Sequence, residues 1–307
     1  MPIFCEECLV SVAVITYNSS RFIVNTLESI KNQTYNNIEL IISDDNSTDN
    51  TIEICRNWLS MNSSRFVRTE IIQSTVNTGI TANINRAYIA SRGVWIKPIA
   101  GDDALLEDCV ENNMIYINAN KSAEVVFSKM KVMSDDYSVQ QLGERVFDKY
   151  HMKLCLPQKE LKYLILCENF IPAATTFMKK ALWQEMGGFD ESIPMMEDWP
   201  FWIKLVRNNK HLYFNPIPTV FYRMHYDSIS LNKKPSDRYM KSVAAAHEYA
   251  KKVQYNYNKF LWLYARSLGI NFIKTPIKSF AKFLVRIINP ISYYMLYINY
   301  KIYSGSK

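Results

Sequence analysis

The 307-residue chain is expected to be an α/β protein with a mostly parallel sheet, helices on both faces and a helical C-terminal extension. Three observations predict this. Short β-branched runs alternate with stretches of helical periodicity, the pattern of βαβ units. The runs are apolar on consecutive residues, as strands covered on both sides require. Polar clusters, two of them acidic, stand where the runs end, and that is the edge at which open parallel sheets bind ligands. With 48% hydrophobic and 13% aromatic residues, the chain can bury a substantial core.

In order, residues 9–16 read as a buried strand ending in Thr16 and Tyr17. Residues 21–33 carry Phe22, Ile23, Leu27 and Ile30 at helical spacing, with Ser19 or Ser20 placed as a cap. A second strand, 38–42, runs into the polar cluster 44–49, and a helix follows over 51–59. Residues 66–72, 79–91 and 94–99 give strand, helix and strand again, with Gly93 closing the helix. A helix over 105–118 and a fifth strand over 124–132 follow, while 134–149 reads as polar and irregular. A helix over 159–167 precedes the short segment 172–177. Gly187 and Gly188 then turn the chain towards a helix starting near Asp198. Residues 211–224 alternate as edge strands, with Pro216 and Pro218 marking an edge or a bulge. Beyond Ser236 the chain is helical and aromatic.

The net charge of +7 is unevenly placed. From Lys241 onward eleven Lys and Arg face a single acid, Glu248, so an excess of ten in the tail leaves the preceding 240 residues at −3. Nucleic acid is not an expected partner of such a body. No basic, apolar leader opens the sequence, which gives an intracellular expectation. The six cysteines are scattered, and Cys5 with Cys8 forms only half of a zinc pattern, so all six are expected as reduced thiols.

The chemistry concentrates at Gly101, Asp102 and Asp103, where a buried strand stops at a glycine turn and presents two carboxylates. Aspartates before a helix often serve as caps. They are also the oxygen ligands that Mg2+ or Mn2+ shares with substrate phosphates. No dinucleotide fingerprint, P-loop or nucleophile elbow is present, which disfavours a dehydrogenase, an ordinary ATPase and an α/β-hydrolase.

Read together, residues 12–18, 29–34 and 41–49, Asn77 to Gly79 with Asn85, residues 101–103 and 187–190, Glu197 with Asp198, and residues 222–225 resemble a family 2 glycosyltransferase of the GT-A (Rossmann-like) fold. The resemblance runs over most of 9–230 and implies sugar transfer from a nucleotide donor, with inversion and a divalent metal. It places Asp45 on the donor base, where a carboxylate can accept the N3–H of uracil, with Thr16 and Tyr17 flanking. Asp44 and Asp49 are expected to be turn and cap residues instead. Asp102 would meet the ribose, and Asp103 and His225 the metal. Arg223 suits a phosphate or a local carboxylate equally. Asp198 would be the general base, although Asp198, Trp199 and Pro200 also read as a helix start. Glu197 is its nearest competitor. Trp199 and Trp202 would offer stacking faces to an acceptor sugar or, as tryptophans at helical spacing often do, fill the core.

On this reading residues 1–232 form the catalytic domain, with a donor half (about 1–120) and an acceptor half (about 121–232). Residues 233–307 form a basic, aromatic region. Within it Lys274, Lys278, Lys282 and Arg286 recur every fourth residue on an amphipathic helix suited to an anionic membrane interface. By resemblance to bacterial transferases of O-antigen and capsule, the partners would be a UDP-sugar donor and a polyprenyl-diphosphate-linked saccharide acceptor. The expected location is the cytoplasmic face of a membrane. The competing readings are a sugar-phosphate nucleotidyltransferase and a non-catalytic sugar-nucleotide or glycan-binding module.

Overall fold

The computed structural model describes residues 8–225 and 235–267. An eight-stranded sheet runs in the order β3-β2-β1-β4-β7-β6-β8-β5. The first half is parallel: β1 (Val10–Thr16) lies between β2 (Ile38–Asp44) and β4 (Trp95–Ala100), and β3 (Arg68–Gln73) lies outside β2. These strands are linked by α1 (Ile23–Lys31), α2 (Thr51–Asn62) and α3 (Ile80–Ala90). The β-branched side chains of β1 and β2 are buried on both faces, as their unbroken apolar runs demand.

The second half is mixed. β7 (Thr176–Lys179) runs antiparallel to both β4 and β6 (Val125–Met133), while β6 and β8 (Tyr213–Arg223) are parallel. The two-residue β5 (Ala104–Leu105) closes the edge against β8. The segment expected as edge strands is thus one eleven-residue strand. Its prolines mark a bulge, because register is lost between Ser128 and Met130, where Asn215 gives way to Pro218. Helices α4 (Cys109–Ala119), α6 (Gln158–Ile165) and α7 (Lys180–Glu185) cover this half.

Residues expected to be irregular form most of α5 (Tyr137–Leu154). Asp136 caps it by accepting from Ser138 N and Val139 N. Its polar composition hid the helical spacing of Val139, Leu142, Val146, Phe147, Tyr150 and Leu154.

Two core clusters flank the sheet. One contains Trp199, Phe201 and Trp202 of α8 (Asp198–Arg207), packed edge-on against neighbouring rings, together with Ala246, Ala250 and Val253 of α9 (Asp237–Ser267). The first turns of α9 therefore share the core of the sheet. Cys55, Cys109, Cys155 and Cys167 are free thiols, whereas Cys8 is disulfide-bonded, which corrects the expectation for that residue. No helix among the described residues is long and apolar enough to cross a membrane. The basic amphipathic stretch over 273–288 lies outside the described residues.

Candidate active site

The C-terminal ends of β1, β2 and β4 lie side by side, so the polar residues after them gather at one edge. Asn18 and Asn46 both take left-handed backbone conformations there (φ 51° and 65°). Asn18 accepts from Thr48 N, and Ser47 accepts from Asn18 N, each at 2.8 Å, clipping the two loops together. Asp44 accepts from Thr16 Oγ1 and Ser47 N, and Asp49 accepts from Thr51 N and Ser20 N. Both are turn and cap residues, as their sequence context suggests. Thr16 is consequently turned inward by its bond to Asp44. Tyr17, 49% exposed, is the side chain left at the surface of that strand end.

Asp45 is the anchor of the neighbouring turn. Its Oδ1 accepts from Thr78 N (3.0 Å), Thr78 Oγ1 (2.6 Å) and Arg86 Nη2 (2.7 Å), and its Oδ2 accepts from Gly79 N (2.7 Å). Burial alone would raise its carboxyl, but the bonds from Thr78, Arg86 and Gly79 hold it below the usual carboxylate range. Gly79 sits at φ +100°, and a Cβ there would come within 2.5 Å of Pro194 O and 2.9 Å of Arg238 Nη2. Only glycine fits this turn. Arg238 of α9 donates to Asn77 Oδ1 (2.6 Å), and Thr81 donates to Pro194 O and Ile193 O, so the turn beside Asp45 is tied to the segment that leads into α8.

Asp102 and Asp103 point differently. Asp103 is 3% exposed; its Oδ1 accepts from Arg223 N (2.8 Å), and its carbonyl accepts from Thr26 Oγ1. Burial and the neighbouring Asp102 charge push its carboxyl well above the ordinary range. Asp102 Oδ2 faces His225 Nε2 at 3.2 Å, and Arg223 Nε donates to the Asp102 carbonyl at 2.7 Å. The sequence reading joins His225 to Asp103, whereas here its carboxylate partner is Asp102. The cause is that β8 pairs with β5, which brings residues 223–225 back over the turn after β4.

These groups fit a divalent cation. The 3.2 Å between Asp102 Oδ2 and His225 Nε2 is close to the roughly 3 Å between adjacent ligands of an ion with bonds of about 2.1 Å. The second oxygen of Asp103 carries no hydrogen bond among the described residues. Those residues contain no complete cluster of three His, Cys, Asp or Glu side chains suited to an ion. Substrate phosphate oxygens commonly supply the remaining positions.

At the start of α8 (Asp198–Arg207) stand Glu197 and Asp198. Asp198 Oδ2 accepts from Asn169 Nδ2 (3.0 Å) and Oδ1 from Trp199 N (2.6 Å). Burial raises both carboxyls, Glu197 to about 8 with the added effect of Asp198 beside it. Together with Tyr88, Pro98 and Thr176 they line a small cavity at the point where β7 leaves β4.

The expected acceptor faces are corrected. Trp199 and Trp202 are each 2% exposed, and Trp199 Nε1 donates to Ile165 O (2.7 Å), so both are core residues. Sequence reasoning missed Arg86, Asn169, Tyr88 and Lys97. Of these only Lys97 carried a signal, being a lone charge inside an apolar strand. It is fully buried, with its ammonium on the carbonyls of Ala174 and Thr176. The motif Asn85 and residues 187–190 prove structural: Asn85 Nδ2 donates to Phe189 O and its Oδ1 accepts from Phe189 N, holding the glycine turn on α3.

The sheet edge thus gathers Asp45, Asp102, Asp103 and His225, and Glu197 and Asp198 stand at the start of α8. The model of Glycosyl transferase family 2 matches residues 11–184, and the chain belongs to that family. It is 29% identical over 210 residues to chondroitin synthase of Escherichia coli, covering 68% of this chain and 28% of that protein. It is 26% identical over 205 residues to an uncharacterized glycosyltransferase of Methanocaldococcus jannaschii, covering 66% and 67%. The chain thus spans just over a quarter of the chondroitin synthase it matches. Among solved structures, TarS of S. aureus in complex with UDP superposes with a TM-score of 0.58 at 18% identity, covering 81% of this chain and 66% of that one. The mannosyltransferase PcManGT of Pyrobaculum calidifontis, in complex with GDP-Man and Mn2+, gives 0.58 at 14%, covering 98% and 88%. The fold is GT-A, and the family match sets aside the nucleotidyltransferase reading.

Proposed function

We propose that the protein is an inverting, metal-dependent glycosyltransferase that moves a hexose from a UDP-sugar, such as UDP-glucose or UDP-galactose, to a lipid-linked saccharide. The observation carrying this reading is the placement of ionised Asp45 and of Asp102, Asp103 and His225 along one strand-end edge, with Asp198 on the helix start tied to it. Asp45 receives the uracil N3–H on Oδ2, which has one partner and so one lone pair to spare. Tyr17 flanks the base, Thr16 shapes its floor through the backbone, and Asp102 lies nearest the ribose.

Asp103, through its second oxygen, and His225 would hold Mn2+ or Mg2+. When bound, the ion screens the diphosphate's developing charge. Asp198 takes the proton from the acceptor hydroxyl as that oxygen attacks the anomeric carbon and the nucleoside diphosphate departs from the opposite face. The carboxyl is suited to this, because burial raises its proton affinity while Asn169 fixes its direction.

The acceptor class rests on the family likeness and on the basic, aromatic composition of the tail. That composition supports peripheral contact with an anionic membrane on its cytoplasmic face, and the role in O-antigen or capsule synthesis rests on the family likeness alone. The test is a donor screen that follows nucleoside diphosphate release from UDP-glucose, UDP-galactose, UDP-GlcNAc and GDP-mannose, with Mn2+ and with chelator. UDP release that requires metal is expected; turnover of GDP-mannose alone, or turnover unaffected by chelator, overturns the donor or the metal assignment. Removal of residues 270–307 is expected to release the protein from anionic liposomes.

A further inference from the structure

Three buried polar groups have no hydrogen-bond partner among the described residues and line the same cavity. They are Tyr88 Oη on α3, Thr176 Oγ1 at the start of β7 and Trp202 Nε1 on α8. The three residues are at most 2% exposed. The cavity measures about 10 Å3, and its remaining polar wall is Glu197 and Asp198. Buried polar groups are almost always satisfied. A polar cavity of about one water's accessible volume with two to four partners is where a single water resides. An acceptor sugar ring is far too large for this space.

The two carboxyls are also supported unequally. Asp198 accepts from Asn169 Nδ2 and Trp199 N, whereas no side-chain donor among the described residues reaches Glu197. Neither has an ion-pair partner there. The titratable groups facing the pair are Tyr88 from α3 and Tyr239 from α9, both neutral near pH 7 and both pushed upward by burial and by the carboxyls. Two adjacent half-buried carboxyls without a cation beside them resist ionising together.

We propose that this cavity is a one-water site and that Glu197, joined through the water to Tyr88, Thr176 and Trp202, is a positioning residue that holds a proton so that Asp198 alone carries the charge. This rests on the reading of Asp198 as the base. The better-donated carboxyl keeps the negative charge, and the other satisfies the cavity as a neutral acid. The base is thereby ready to receive the acceptor's proton.

Three measurements on the full chain test it. A high-resolution crystal structure is expected to show one ordered water within hydrogen-bond distance of Tyr88 Oη, lost or displaced in Tyr88→Phe; a dry cavity overturns the site. Difference infrared spectroscopy is expected to show a protonated-carboxyl band that titrates near pH 8, vanishes in Glu197→Gln and persists in Asp198→Asn. A band unchanged in Glu197→Gln overturns the proton assignment. In UDP release from UDP-glucose with water as acceptor, or from whichever donor the screen selects, Glu197→Gln is expected to keep kcat/KM near pH 7 within about fivefold. It is also expected to lose the inflection near pH 8. Loss of activity as deep as in Asp198→Asn would make Glu197 itself a base and sink the inference. Retained activity in Asp198→Asn would instead sink the reading of the base, while the water and the infrared band would still decide the site.

Discussion

Asp45, at the end of β2, and the carboxyls at the start of α8 stand in opposite electrostatic conditions. Asp45 collects four hydrogen bonds from a glycine turn and an arginine, and it is held below the ordinary carboxylate range. Glu197 and Asp198 share few donors and are raised. On the proposed function, the group that recognises the nucleotide as an anion is surrounded by donors, whereas the group that takes up a proton is starved of them. The same residue type is thus fitted to two tasks by its neighbours alone.

Asp198→Asn breaks the contrast most severely. The amide can keep the bond to Trp199 N and the fold but accepts no proton, so turnover should fall roughly 10²–10⁴-fold with donor affinity unchanged by calorimetry. A wild-type rate would remove the base from α8. Next in size is His225→Ala, which should weaken the Mn2+ dependence of UDP release by at least roughly tenfold. An unaltered metal titration would leave the ion to the carboxylates. Asp45→Ala strands Gly79 N, Thr78 N and the Arg86 guanidinium at once. Loss of charge-assisted bonds of about 1.5–3 kcal/mol should raise the donor KM about 10–100-fold with a smaller change in kcat. A change confined to kcat would place Asp45 outside the donor subsite.

The donor half was largely legible in the sequence because its strands are local in character: continuous β-branched runs, each closed by its own polar cluster, leave little choice of architecture. β1, β2 and β4 lie within a residue or two of their expected limits. The acceptor half was less legible, since its order depends on pairings between distant segments. That β6 lies beside β8, and that β7 reverses between β4 and β6, is decided by tertiary packing that no short window displays. For the site, residue types at strand ends pointed to Asp45, Asp102 and Asp103, and the family resemblance to Asp198 at a helix start. Side-chain direction did not follow from type. Thr16 turns in to Asp44, Asp103 turns in to β8, and two tryptophans at helical spacing serve the core rather than a sugar.

The smallest predicted effect separates the halves by stability rather than rate. Burial and the neighbouring Asp198 push the Glu197 carboxyl up to about 8 in the folded protein, against an ordinary value of 4.5 when unfolded. Between those values the folded state binds the extra proton, so stability is greatest below about pH 4.5 as far as this group is concerned and declines as pH rises through the window to about 8. The penalty at pH 8 is on the order of a few kcal/mol at most. Asp198, raised as well, acts in the same sense, while Asp45, lowered, stabilises above its unfolded value and loses that contribution only as acid is added below it. Glu197→Gln removes the Glu197 contribution and leaves the rest. Calorimetric Tm values should therefore converge for the two proteins near pH 5 and separate towards pH 8, with the variant the more stable. A constant difference across that range would mean that Glu197 is ionised in the folded state, and the contrast between the two sets of carboxylates would then fail at its most distinctive residue.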